Sequence, residues 1–266
     1  MYKTGICGID RLLSKHNSGV VQLVSDDDII AESIVLNMIK TRVSVYYDIR
    51  NNANMPRARA IASHGNVHWV KCDGVNGNIF EGIKKSFVTG AFDVAVIDDI
   101  PSIYSKEARD DYEIVEMIAE MLMDLKSYCI STDKNIFLLN RLQEDDGVPC
   151  YGRGTIANVV SYTMLLKKWA TIIRNRTPIG QEILISGSSD RKPICDVIGV
   201  FDDYTIPHAY WLYLRGMREH IITTTQNAYW FGDKTYKTKW MLIKALEGSL
   251  GVEVEKLINK GDCDGQ

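Results

Sequence analysis

The chain has 266 residues, enough for one large domain or one core with a small appendage. Hydrophobic residues make up 45% and charged residues 24%, which supplies a buried core and excludes a disordered chain. Thirty-four acids against 31 Lys and Arg leave a formal net charge of -3, which excludes a globally basic nucleic-acid binder and leaves only a local basic face for that purpose.

Cys7, Cys72, Cys129, Cys150, Cys195 and Cys263 form no C-x-x-C pair, so a zinc site or disulfide framework is not expected and a reducing compartment is. No apolar run approaches the ~18 residues of a membrane span, and Met1-Tyr2-Lys3 runs straight into polar, Gly-containing sequence. The expectation is a cytoplasmic protein with no signal peptide and no membrane partner.

In chain order, the runs 19–24, 43–48, 67–70, 93–98 and 135–140 are rich in β-branched and aromatic residues and predict buried strands. Between them, 29–40, 56–64, 79–89 and 111–129 predict helices. In the last, Ile114, Ile118, Met121, Leu122 and Leu125 recur at helical spacing. Strands alternating with helices predict an α/β fold with a mostly parallel central sheet flanked by helices. Segment 144–154 has three glycines, one proline and no periodicity, which predicts a loop. Strand-like segments follow at 159–166, 182–186 and 194–201, then helical stretches at 210–222, 239–246 and 252–259. This divides the chain into a core over 1–209 and a small C-terminal lobe over 210–266. No internal repeat or low-complexity tract is present.

The run Asp93-Val94-Ala95-Val96-Ile97-Asp98-Asp99 is an apolar strand ending in acids, the form of the Mg²⁺-holding strand of P-loop ATPases. It is also the form of any strand whose carboxylate caps the next loop. The five histidines show no H-E-x-x-H or Cys-His spacing and no G-x-S-x-G elbow exists, so no catalytic residue, metal or cofactor is assigned.

In order and spacing these segments resemble the RecA recombinase family from residue 4 to about residue 260. Thr4-Gly5-Ile6-Cys7-Gly8-Ile9-Asp10-Arg11-Leu12-Leu13 is similar to the family's T-G-x-x-x-L-D-x-x-L motif. Gly19 to Ser25 is similar to the strand before its phosphate loop, and Asp93 to Asp98 to its Mg²⁺ strand. Asn135 to Asn140 followed by Arg141 resembles its nucleotide-sensing strand. Leu212 to Ile221 and Tyr229 to Lys234 resemble the approach to its C-terminal lobe. The resemblance implies a RecA-like core, with Ser25, Asp48 and Asp98 at a degenerate nucleotide site.

The departures point away from ATP hydrolysis. A phosphate loop needs glycines and a Lys, whereas the corresponding Ser25 to Ser33 has neither and places Asp26, Asp27 and Asp28 where an anion would sit. Repulsion is ~1 kcal/mol per charge pair at ~4 Å in water and larger in a drier cleft. The same acids complement and cap the start of a helix. Where the family carries a catalytic Glu two residues after the Asp of the next strand, Asp48 is followed by Ile49 and Arg50. Ser186-Gly187-Ser188-Ser189-Asp190 stands where the family has trans-acting lysines. The chain starts close to the T-G motif, so the family's N-terminal docking segment and its filament geometry are not expected.

The resemblance also places two DNA-facing loops near 104–111 and 143–158. They carry Lys106 and Arg109, then Tyr151 and Arg153, a cation-plus-aromatic set suited to phosphate contact and base stacking. Further basic aromatic stretches are Lys167-Lys168-Trp169 with Arg174-Asn175-Arg176, and Tyr229 to Trp240 with Lys234, Lys237 and Lys239. Solvated lysines around core tryptophans Trp230 and Trp240 would give the second pattern equally. The expected function is that of a non-hydrolysing RecA-fold accessory or architectural component of DNA recombination, repair or replication, of phage or other mobile-element origin. Its expected partners are single-stranded DNA and either itself or another RecA-fold or replication protein. Two rivals are an active DNA-dependent ATPase with an unrecognised phosphate site, and an interaction module that docks on a recombinase, helicase or polymerase without touching DNA.

Overall fold

A computed structural model describes residues 4–13, 18–49, 55–62, 66–72, 78–103, 111–142, 153–187, 194–226 and 228–264. Its centre is set by strands that are apolar on both faces. In β1 (Gly19–Ser25), β2 (Ser44–Asp48) and β4 (Val94–Asp98) every residue is buried, as is β5 (Asn135–Arg141) up to its last residue. Strands covered on both sides pair in parallel and take helices as their connections. β1 lies parallel between β5 and β6 (Tyr162–Arg174), while β2 lies between β4 and the half-exposed edge strand β3 (Val67–Lys71). With β7 (Thr177–Gly187) and β8 (Ile194–Phe201) the order is β3-β2-β4-β5-β1-β6-β7-β8. The fold is therefore α/β, with a mostly parallel, mixed sheet flanked by helices.

The helices follow their apolar patterns. A short α1 (Cys7–Leu12) precedes β1. α2 (Asp28–Ile39) is buried at every position from Ile30 on, so it has no polar face to leave in water. α3 is Met55–Ile61, α4 Asn78–Val88, α5 Asp111–Thr132 and α6 Arg153–Val159. The i, i+4 and i+3 series Ile114, Ile118, Leu122, Leu125, Cys129 on α5 meets Val20, Ile136 and Leu138 of the sheet and Ile83 and Phe87 of α4. Burial there pushes the Cys129 thiol up to about 12.

The chain forms two compact units, one of residues 1–168 and 184–196, the other of 169–183 and 197–266. The boundary expected from sequence was at 209/210. The division instead runs through β6, β7 and β8, because β6 and β7 are longer than the pattern at 159–166 and 182–186 predicts. Lys167, Lys168 and Arg174 interrupt the apolar alternation, and beyond Leu166 only Ile172 of β6 is buried. The two strands are joined by Asn175 and Arg176, at φ 52° and 67°. That is the paired left-handed geometry of a two-residue hairpin turn. α6 falls partly in the segment expected to be a loop, its seven residues being too short to show a period.

The second unit also holds α7 (His208–Arg218), α8 (Lys239–Leu246) and α9 (Ser249–Asp264). Between α7 and α8 lies an antiparallel sheet of β9 (Thr223–Thr225), β10 (Ala228–Phe231) and β11 (Lys234–Tyr236). Strands of three or four residues are too short for alternation to reveal them. Among the described residues no helix is long and apolar enough to cross a membrane.

Candidate functional site

Parallel pairing brings several sequence motifs to one end of the sheet. Ser25 is in register with Arg141, Val24 with Asn140, and Asp48 with Asp98, while Ile97 pairs with Leu138. The loop after β1, the acids that close β2 and β4, and Asn140-Arg141 of β5 therefore share the carboxyl edge of the strands, where open α/β sheets place their ligands.

The loop after β1 is organised by its own side chains. The Ser25 hydroxyl accepts from the Asp27 N–H at 3.1 Å and donates to the Asp27 carbonyl at 3.1 Å. Asp27 is the N-cap of α2, its carboxylate accepting from the Ile30 N–H at 3.0 Å. The same carboxylate is 2.7 Å from Lys168 Nζ on β6. Burial alone would push the Asp27 carboxyl up. The Lys168 ammonium and the Ile30 N–H outweigh it and hold the group below its ordinary value. Hydrogen bonding to Asp27 in turn raises Lys168.

A second cation serves the neighbouring acids. Arg141 Nε donates to Asp99 Oδ2 at 2.9 Å and lies 3.8 Å from Asp28. Asp99 is 1% exposed. Asp98, equally buried, accepts from the Tyr46 hydroxyl at 2.6 Å, and the Asp98–Asp99 peptide is cis. Further along α2, buried Glu32 pairs with buried Arg57 of α3. Asp48 and Asp98 are in register at the ends of β2 and β4, Ser25 closes β1 at the same edge, and Asp27 is the capping acid. Sequence reasoning did not assign Tyr46, Glu32, Arg57, Asp99, Arg141 or the Lys168–Asp27 pair to this site. Glu32 is the one charged residue in the buried run 30–39 of α2, a signal that a buried partner is required.

Chemically, the cations at this end of the sheet are already engaged by the chain's own carboxylates. The groups that would receive a phosphate, the N–H groups opening α2 and the cations beside it, are engaged by the carboxylates of Asp27, Asp28 and Asp99. A polyphosphate would have to displace Asp27 from Lys168 and then sit among the remaining acids.

The cations expected to meet DNA have different fates. Lys106, Arg109 and Tyr151 lie outside the described residues, as do Arg50 and Ser188 to Asp190. Arg153 opens α6, its side chain also outside them. Lys167 is exposed on β6, and the next aromatic, Trp169, is 64% exposed. Arg174 sits over the Trp240 ring at 5.2 Å, and Arg176 is exposed at the hairpin turn. Lys234 lies 3.8 Å from Glu253, and Lys237 is exposed.

Lys239 is enclosed. Its Nζ donates to the Tyr210 hydroxyl at 2.7 Å, lies 3.9 Å from Glu182, and faces the rings of Tyr210, Tyr213 and Trp240 at 4.7, 4.8 and 5.7 Å. Burial lowers its pKa against the opposing pull of Glu182. The Tyr210 hydroxyl passes its own proton toward Glu182 at 2.7 Å, and burial first, then that acceptor, raises the phenol. Lys239 and Trp240, both partly buried, therefore pack against Tyr210 in the second unit, whereas Trp230 is 40% exposed on its small sheet.

Compared with protein-family models and with curated proteins, the chain matches none.

Proposed function

We propose that this chain is a RecA-fold protein without ATPase activity that serves DNA recombination, repair or replication as an accessory or architectural component, in a phage or similar mobile element. One observation carries the reading. Three stretches likened separately to the phosphate-loop strand, the Mg²⁺ strand and the sensing strand fall on the adjacent parallel strands β1, β4 and β5, with their carboxyl ends together. The absence of turnover is supported by the Asp27–Lys168 and Arg141–Asp99 pairs, which fill the place of a nucleotide with the chain's own charges.

Calorimetry with ATP and Mg²⁺ tests this half of the proposal. No heat of binding is expected at micromolar nucleotide, and a low-micromolar dissociation constant that vanishes in Asp98→Ala would overturn it.

Exposed Lys167, Trp169, Arg176 and Lys237 support the DNA half, since an aromatic ring and mobile cations suit base stacking and phosphate contact. A protein-interaction module remains the second reading, favoured by the internal engagement of Lys168 and Lys239, two of the cations otherwise assigned to DNA. A mobility-shift titration with labelled single strands at two salt concentrations separates the two.

A further inference from the structure

The small sheet of the second unit has two unlike faces. Tyr229, in register with Thr224 and Tyr236, turns inward, its ring 6.0 Å from that of Tyr213 on α7. Trp230 points the other way and is in register with Thr223 on β9 and Thr235 on β11, both exposed. A solvent-facing row Thr223-Trp230-Thr235 crosses the sheet, and the Trp230 ring has no aromatic or cationic partner among the described residues. Trp240, the ring that sequence alone could not tell apart from it, is partly buried and packs beside Tyr210 and Phe201.

We infer that this face is a stacking platform for an unpaired base of a single-stranded nucleic acid, with Trp230 under the base and Lys237 at a flanking phosphate. The inference rests on the DNA-binding reading above and names a contact for it in the second unit. One lysine points to the occupant: Lys234 lies beside Asp233 in sequence and 3.8 Å from Glu253, whereas Lys237 is exposed with no ion-pair partner among the described residues. A flat ring flanked in register by two exposed threonines, with an exposed lysine two residues beyond Thr235, offers one group for each part of a nucleotide: π-face to base, hydroxyl to sugar or phosphate oxygen, ammonium to phosphate. An acidic protein surface would use the lysine but leave the ring uncovered. A second copy of this chain would bring its own Lys237 against the first.

The test titrates the full chain with a fluorescent oligothymidylate and with an abasic strand of equal length and charge, at low salt. The wild type is expected to bind the thymidylate at least fivefold more tightly than the abasic strand. Trp230→Ala should lose that preference while binding the abasic strand as the wild type does, and Trp230→Phe should recover most of it. Lys237→Ala should weaken both strands equally. If Trp230→Ala, shown folded by circular dichroism, keeps the full preference, the platform is wrong while DNA binding stands. If the wild type binds neither strand, the DNA reading itself fails. If Trp230→Ala instead shifts the oligomeric state in sedimentation without nucleic acid, the face is a self-association surface and the inference is overturned.

Discussion

Asp27 is the residue on which the candidate site turns, because it makes two kinds of bond at once. As N-cap it satisfies the Ile30 N–H, and as an anion it holds Lys168. Its folded-state pKa lies below the ordinary 3.8, so its contribution to stability is complete above that value and is lost as pH falls through the folded pKa. Lys168 is raised above 10.5, so its share is complete below that value and lost as pH rises through its own folded pKa. Between these limits the pair is intact. Lys168 is about half exposed, and solvent limits the ion pair to roughly 1 kcal/mol. Asp27→Asn, which keeps the cap, should cost up to about 1 kcal/mol, and Asp27→Ala about 1 kcal/mol more. Urea unfolding at pH 7 and at descending acid pH checks the assignment. The Asn variant's deficit should shrink toward zero as Asp27 protonates in the wild type. A deficit that stays constant down to pH 2 would mean the charge contributes nothing.

At the scale of elements, what the sequence reveals depends on how completely each element is buried. β1, β2, β4, β5 and α5 announce themselves through apolar runs or a helical period because water is excluded from both faces or from one continuous stripe. The β6–β7 hairpin outruns the core, so its Lys167, Trp169, Ile173 and Arg174 follow no burial rule and the strands look shorter than they are. Candidate-site acids were legible as strand ends and helix caps. Their partners were not, since Arg141–Asp99 and Lys168–Asp27 depend on which strands are neighbours.

The hairpin turn allows a direct check. Arg176 adopts φ 67°, a conformation that costs an L-residue roughly 1 kcal/mol and costs glycine little. Arg176→Gly should therefore raise the melting temperature by about 2–4 °C per kcal/mol gained, while removing an exposed cation and weakening single-strand binding. Stability up with affinity down is the expected pair of results. A variant that melts several degrees lower would show that the Arg176 side chain holds the hairpin.

For the whole molecule, electrostatics limits how DNA can be held. Residues 162–181 carry four cations and no acid, leaving 27 cations against 34 acids in the rest of the chain. A polyanion is therefore repelled by most of the surface and attracted by a minor part of it. Within 162–181, Lys168 is committed to Asp27 and Arg174 lies against Trp240, so Lys167 and Arg176 are the cations there with no ion-pair partner among the described residues. Each phosphate neutralised on a single strand contributes about -0.7 to the slope of log affinity against log salt. Two such contacts predict a slope near -1.4, with Lys237 bringing it near -2. Binding should consequently be weak, sequence-tolerant and nearly abolished at high salt, and Lys167→Ala should flatten the slope by about 0.7 without lowering the melting temperature. Affinity should rise cooperatively along longer strands where adjacent subunits line these cations up, since a few contacts per subunit gain most from repetition. A slope near -4 for one subunit on a short oligonucleotide would require about six contacts, and would add Lys106, Arg109 and Arg153 to these three.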